Sequence, residues 1–176
     1  MASPQACATR ADSLNSLLIP FRSQPPTTRL REGYALLHQH DPEPAGLNRL
    51  LEACGDSPRT PERWERVLAR SAWHLVVLNP GGQMVGFVRA TSDLALNANL
   101  WDLVADPADP CRDELIGALV QAALARLRRE LSGCSISLSA PPEALNALAR
   151  AGFVVDPGGI RAMGLNLRTD GTERRG

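Results

Sequence analysis

The chain has 176 residues, 44% of them hydrophobic, and its 19 basic and 19 acidic side chains balance. This length accommodates one domain with a sizeable core. The balanced charge provides no basic field for nucleic acid, and no apolar run is long enough to span a membrane, so neither partner is predicted. The four cysteines are scattered, which predicts neither a disulfide framework nor a metal site.

Composition divides the chain into three segments. Residues 1–30 are rich in small and polar residues with a single acid, Asp12, which predicts a flexible N-terminal arm. This composition is similar to a short organelle transit peptide and equally to an ordinary disordered arm. Residues 31–168 carry periodic apolar patterns and predict one folded domain, and residues 169–176 predict a loose polar tail.

The first half of the domain predicts a strand over 33–40 and a helix over 45–54. Thr60 and Pro61 predict the start of a second helix, because threonine caps a helix and proline suits its first position. Trp73–Leu78 predicts a strand, and a turn-rich tetrapeptide over 79–82 leads into another strand over 84–91. This spacing predicts a β-hairpin.

In the second half, a strand is predicted over 99–105 and a long helix from Arg112 to about Ser132. A strand over 134–139, a helix after Pro141 and two further strands follow; the latter are predicted over 153–155 and 163–167. This order of strands and helices predicts a three-layer α/β domain.

The junction over 105–112 is a strand, a proline-marked loop and then the start of a helix. The first N–H groups of a helix lack internal partners and favour an anion, so such a junction can bind a pyrophosphate. Junctions of this kind also occur in α/β proteins that bind nothing there. The pattern therefore leaves both a binding and a purely structural interpretation.

Three stretches carry a resemblance to a known family: GFVRATSD (86–93) with the following Asn97, LWDLVADP (100–107) and GFVVDPGGIRAM (152–163). They resemble the GCN5-related N-acetyltransferase (GNAT) superfamily and, within it, the acetyltransferases of chloroplasts and cyanobacteria. The element order resembles this superfamily across 33–168. The resemblance implies a three-layer α-β-α fold with a mixed, mostly antiparallel sheet and splayed central strands.

The resemblance also implies an activity, the transfer of an acetyl group from acetyl-CoA to an amine of a protein or small molecule. It implies a location in the cyanobacterial cytoplasm or the plastid stroma. The residues implied to bind acetyl-CoA are Leu103, Val104, Ala105, Arg112, Gly117 and Ala118. Candidate general bases for the amine are Asp102, Asp93 and His74. Alternatively, Asp93 caps a turn, Asp102 pairs with Arg89, and His74 is an exposed side chain.

The sequence departs from the family pattern in two places. In the run 112–117 only Arg112 and Gly117 match the phosphate-loop pattern, and Leu115 replaces its first glycine. Asp113 and Glu114 add negative charge there. The tyrosine that relatives carry four residues before the Gly-Phe pair is replaced by Leu148, which cannot donate a proton. These departures support an alternative function, a catalytically weakened GNAT-fold module that binds a protein partner.

Overall fold

The structure is a computed structural model that describes residues 29–38 and 40–157. The strands are β1 (Ala35–Leu37), β2 (Trp73–Leu78), β3 (Met84–Ser92), β4 (Asn97–Ala105) and β5 (Ser135–Leu138). The α-helices are α1 (Pro44–Ala53), α2 (Pro61–Ala69), α3 (Arg112–Glu130) and α4 (Leu145–Arg150), and a 3-10 helix (Pro142–Ala144) precedes α4. None of these helices is both long and apolar enough to cross a membrane.

The described strands form one sheet in the order β1-β2-β3-β4-β5. The first four are antiparallel neighbours, whereas β5 runs parallel to β4. Helices cover both faces and create two apolar clusters: α3 and α4 pack on one face, and α1 and α2 on the other. The predicted three-layer α/β fold with a mixed, mostly antiparallel sheet is therefore confirmed.

Local sequence signals explain several of these elements. The Thr60 hydroxyl accepts a hydrogen bond from the Arg63 N–H and caps α2 as predicted. Asn48 then joins α1 to α2, because its side-chain oxygen accepts hydrogen bonds from the Arg59 N–H at 3.0 Å and the Trp64 indole N–H at 2.7 Å. These bonds fix the two-helix layer against the sheet.

The long helix α3 packs closely on the centre of the sheet. A Cβ atom added to Gly86 of β3 would lie 3.1 Å from Leu119 Cδ1 and 3.3 Å from Val77 Cβ. A side chain at this position would require Leu119 or Val77 to shift by a few tenths of an ångström. The contact sets how closely α3 approaches β3 at Leu119.

Two predicted strands differ from the structure. The first strand is shorter than the predicted 33–40, since only Ala35–Leu37 pair with β2. The predicted strand over 153–155 is wrong: the Phe153 N–H instead donates to the Leu148 carbonyl and closes α4, and Val154 and Val155 are 72% and 77% exposed. The last predicted strand, over 163–167, lies outside the described residues, as do most of the arm over 1–30 and the tail over 169–176.

Candidate acetyl-donor site at the open edge of β4

The central feature of the site is a strand edge that has no strand partner among the residues the structure describes. Pairing between β4 and β5 runs from Asn97 and Ser135 to Leu100 and Leu138, while β4 continues to Ala105. The Ser137 hydroxyl donates to the Asn99 side-chain oxygen near the end of this pairing. Pairing with β5 therefore ends at Leu100, and beyond it one edge of β4 is open within the described part of the chain.

The register shows which backbone groups face this open edge. Ala105 lies opposite Gly86 of β3, and the next N–H along, that of Asp106, donates to the Val85 carbonyl. In an antiparallel ladder this pattern identifies the pair as non-hydrogen-bonded, so the N–H and C=O of Ala105 point away from β3. Ala105 thus presents its backbone groups to the open edge. It is one of the three residues of β4 predicted to bind the donor, with Leu103 and Val104.

A β-bulge lies at the start of the open edge. Between the pairs Phe87–Val104 and Arg89–Trp101, β4 advances one residue more than β3. Asp102 lies in this bulge with a φ of 52°, a left-handed conformation that aspartate tolerates better than most residues. Its carboxylate accepts a hydrogen bond from the Arg89 Nε at 2.6 Å. The predicted alternative, an Asp102–Arg89 ion pair across the sheet, is therefore present.

A second guanidinium stands near the same carboxylate. Arg59, which precedes α2, lies 4.0 Å from Asp102 and packs over the Trp64 ring. Arg89 packs over the Trp101 ring on the other side. The carboxylate of the candidate base Asp102 is thus in contact with two arginines.

The candidate base Asp93 occupies a different environment. One of its carboxylate oxygens accepts hydrogen bonds from three backbone N–H groups, those of Ala95, Leu96 and Asn97. These bonds hold the pKa of the Asp93 carboxyl far below its usual range, and the bond from the Asn97 N–H has the largest effect. Asp93 therefore caps the turn between β3 and β4, as the structural alternative predicted, and a carboxyl with so low a pKa is a weak base.

His74 lies on β2 and faces the layer of α1 and α2. Its Nε2 atom is 2.6 Å from the carbonyl oxygen of His40. Because a carbonyl oxygen can only accept a hydrogen bond, this nitrogen is the donor. The ring also lies near that of Phe87. His74 is part-buried rather than exposed, and the structural interpretation made from the sequence is wrong on that point.

The loop between β4 and α3 is held by its own carboxylates. Asp109 accepts hydrogen bonds from the Cys111 N–H at 2.8 Å and from the Tyr34 hydroxyl at 3.1 Å. The contact with Cys111, partial burial and Asp109 together raise the pKa of the Tyr34 hydroxyl. Tyr34, which precedes β1, therefore contributes to the shape of this loop.

Arg112 begins α3 and pairs with Glu143, which lies in the 3-10 helix after β5. The Arg112 Nε is buried and has no hydrogen-bond partner among the residues that the structure describes. Cys54, at the end of α1, lies beside this pair and its Sγ is 3.5 Å from the Ala105 carbonyl oxygen. Burial, followed by Glu143 and Asp106, raises the pKa of the Cys54 thiol, although Arg112 acts in the opposite direction.

The remaining predicted donor-binding residues lie deeper in the helix. Gly117 and Ala118 are buried in the second turn of α3, where backbone N–H groups are bonded within the helix. Leu115, which stands in place of a loop glycine, is fully buried in the core. Arg112, Asp113 and Glu114 are therefore the part of this run that is accessible to solvent, and Glu114 is also paired with Arg31 at 3.3 Å.

Sequence reasoning did not identify Tyr34, Cys54 or Glu143 as members of the site. All three reach the β4–α3 junction from other elements, so no local motif marks them. The buried Leu148 confirms that the position of the relatives' tyrosine is here part of the core.

The fold matches solved acetyltransferases. A probable acetyltransferase from Staphylococcus aureus superposes with a TM-score of 0.64 at 15% identity, over 76% of this chain and 99% of that one. A GNAT family N-acetyltransferase from Escherichia coli, solved in complex with CoA, superposes with a TM-score of 0.54 at 20% identity, over 71% of each chain. The chain therefore has the fold of the GNAT acetyltransferases.

Sequence relatives identify the branch, although no family model matches the chain. Serotonin N-acetyltransferase 2, chloroplastic, of Oryza sativa is 32% identical over 66% of this chain and 59% of its own length. The N-acetyltransferase ycf52 of Gracilaria tenuistipitata, itself uncharacterized, is 34% identical over 46% of this chain and 43% of its own length. The chain thus spans about half the length of these relatives. It is similar in sequence to N-acetyltransferases of the chloroplast type, and its fold is that of the GNAT superfamily.

Proposed function

We propose that this chain is an acetyl-CoA-dependent N-acetyltransferase that acts on an amine of a protein or small molecule. The observation that carries the proposal is the open edge of β4, which begins beyond Leu100 and leads to the start of α3. An extended amide-containing chain can add to such an edge by backbone hydrogen bonds. The pantetheine arm of CoA is a chain of this kind.

In this arrangement, the backbone of Leu103–Ala105 holds the pantetheine arm, with Ala105 supplying outward-facing donor and acceptor groups. Arg112 binds the pyrophosphate, since a guanidinium pairs with phosphate oxygens by charge-assisted hydrogen bonds. The first N–H groups of α3 add to this attraction. Gly117 and Ala118 support the site through helix packing rather than through free N–H groups.

The amine attacks the carbonyl carbon of the acetyl thioester directly. A C–N bond forms, the C–S bond breaks, and the electron pair of that bond leaves with the CoA sulfur as a thiolate. The amine loses a proton in the same sequence, and the thiolate or solvent gains one. Because no tyrosine stands at position 148, the chain relies on CoA as an adequate leaving group, at a cost of about 10²–10⁴ in rate.

Asp102 is the best-placed of the three candidate bases, because it lies on β4 itself at the bulge where the edge opens. Because its carboxylate is paired with Arg89, it acts on the amine through a weak interaction or a bridging water. Asp93 and His74 are engaged in turn capping and in a contact with a backbone carbonyl, respectively. The matched variants Asp102→Asn, Asp93→Asn and His74→Gln separate these assignments by their pH–rate profiles.

The test is incubation of the purified chain with acetyl-CoA and a panel of amines, with products identified by mass spectrometry. All 19 basic side chains of the chain are arginine, so acetylation of its own lysines cannot contribute to the signal. Acetylated product with at least one amine supports the proposal. If the folded protein turns over none of the amines, the proposal is contradicted, and a non-catalytic binding module becomes the better interpretation.

The relatives named above include a chloroplastic enzyme, which supports a proposed location in the plastid stroma or in the cytoplasm of a cyanobacterium. Fusion of the chain to a fluorescent protein tests this location. Signal confined to another compartment would contradict it.

A further inference from the structure

The mouth of the donor site is occupied by groups of the chain itself. The carboxylate of Glu143 pairs with Arg112, and the Cys54 thiol contacts the outward-facing carbonyl of Ala105. These contacts come from two separate elements, the 3-10 helix after β5 and the end of α1. They engage one cationic group and one backbone acceptor of the opening.

A phosphate and a carboxylate bind a guanidinium in the same manner, by charge-assisted hydrogen bonds from its N–H groups. The Nε atom of Arg112 is buried and has no hydrogen-bond partner in the described ranges. Because this end of the guanidinium is buried, the surrounding residues limit how the side chain can turn. A phosphate that approaches Arg112 therefore meets the negative charge of Glu143 beside the same guanidinium. Two like charges beside one guanidinium repel each other, and the carboxylate of Asp106 adds negative charge near Cys54 at the same mouth.

We propose that Glu143 is an internal competitor for the phosphate groups of the donor, and that it sets the affinity of the chain for CoA. The inference rests on the proposed function, since it concerns the donor site of that reaction. The Glu143 side chain is 24% exposed, so a rotation toward solvent releases Arg112 without displacing the buried Ala144. The donor therefore binds with Glu143 turned away, and the empty site keeps the ion pair.

The test measures CoA binding by calorimetry to the full chain and to Glu143→Gln. Glutamine keeps the shape and removes the charge. Loss of a partly exposed ion pair and of one repulsive charge predicts binding about three- to tenfold tighter. The matched control is Glu130→Gln, which removes a carboxylate from an ion pair with Arg126 at the opposite end of α3. This control is expected to change the dissociation constant by less than about twofold, because it lies beyond a Debye length from the site.

A double-mutant cycle with Arg112→Gln assigns the effect to the pair. The gain from Glu143→Gln is expected to fall below about twofold when Arg112 is replaced. A gain that persists there would refute competition for Arg112, and so would unchanged or weaker binding of CoA by Glu143→Gln. In both cases the proposed function would stand.

If neither the wild-type chain nor Glu143→Gln binds CoA while both remain folded by circular dichroism, the proposed donor is wrong and the inference fails with it. Binding only by Glu143→Gln would support the competition and contradict the proposed function of the unaltered chain.

Discussion

The left-handed backbone conformation of Asp102 in the bulge of β4 can be tested by comparing the free energies of unfolding of variants at this position. Asp102 has a φ of 52° and its carboxylate pairs with Arg89. Replacement by alanine removes the ion pair and also forces a side chain into the left-handed region, at a cost of about 1–2 kcal/mol. Replacement by glycine removes the same ion pair without this strain, although glycine loses about 0.5–1 kcal/mol more entropy on folding than alanine. The two terms leave Asp102→Gly more stable than Asp102→Ala by about 0.5–1 kcal/mol.

Urea unfolding of both variants measures this difference. The neighbouring Trp101 provides the control, since it is a β4 residue outside the left-handed region, and there Trp101→Ala is expected to be more stable than Trp101→Gly. Asp102→Asn is expected to lose the least, because asparagine tolerates the conformation and its amide oxygen still accepts from Arg89. An alanine variant at 102 as stable as the glycine variant would refute the bulge geometry.

Three further predictions follow from other contacts. Gly86→Ala is expected to lower the free energy of unfolding by about 1–3 kcal/mol through overpacking, and the loss is expected to shrink in a Leu119→Ala background because space opens; additive urea-unfolding losses would contradict this. Contact with Cys111 raises the pKa of Tyr34, so its stabilising contribution is present below its ordinary pKa of 10 and is lost as pH rises through the folded value. Ultraviolet titration of this single tyrosine is expected to give a midpoint above 10 in the folded chain, and a midpoint near 10 would contradict the contact. Backbone N–H groups of its own turn lower the pKa of Asp93, so the contribution of this carboxylate to stability is present above the ordinary pKa of 3.8 and is lost as pH falls toward the folded value. From about pH 4 to pH 2 the melting temperature is expected to fall further for the wild type than for Asp93→Asn. Parallel decreases in the two melting temperatures would contradict this prediction.

The sequence predicted the elements that carry their own local signals. α3 has a long apolar periodicity, β2 is a run of β-branched and apolar residues, and Thr60 with Pro61 marks the start of α2. These features depend on neighbouring residues only, so one sequence suffices to find them. The predicted strand over 153–155 failed because a strand requires a partner, and the same apolar residues here follow the capped end of α4.

The site was predictable only in part, for the same reason. Leu103–Ala105 and Arg112 belong to one continuous strand–loop–helix motif, and the family resemblance marks it. Tyr34, Cys54 and Glu143 come from three other elements and meet this motif only after the chain has folded. Leu115 illustrates the opposite error, since a linear comparison placed in a phosphate loop a side chain that the helix turns into the core.

The Arg112–Glu143 contact at the mouth of the site is expected to raise the stability of the chain and to lower its affinity for the donor. The Arg112–Glu143 pair stabilises the empty chain by about 0.2–1 kcal/mol, as expected for a partly exposed ion pair, and the same pair must open before a phosphate reaches Arg112. Glu143→Gln should therefore melt at a lower temperature than the wild type without CoA. A saturating ligand adds stability in proportion to the logarithm of its concentration over its dissociation constant, and a tenfold tighter complex gains about 1.4 kcal/mol. A threefold tighter complex gains about 0.65 kcal/mol, so the melting temperature of Glu143→Gln should rise more with added CoA than that of the wild type. A difference between the two melting temperatures that stays constant at every CoA concentration would show that Glu143 supports the fold without competing for the donor.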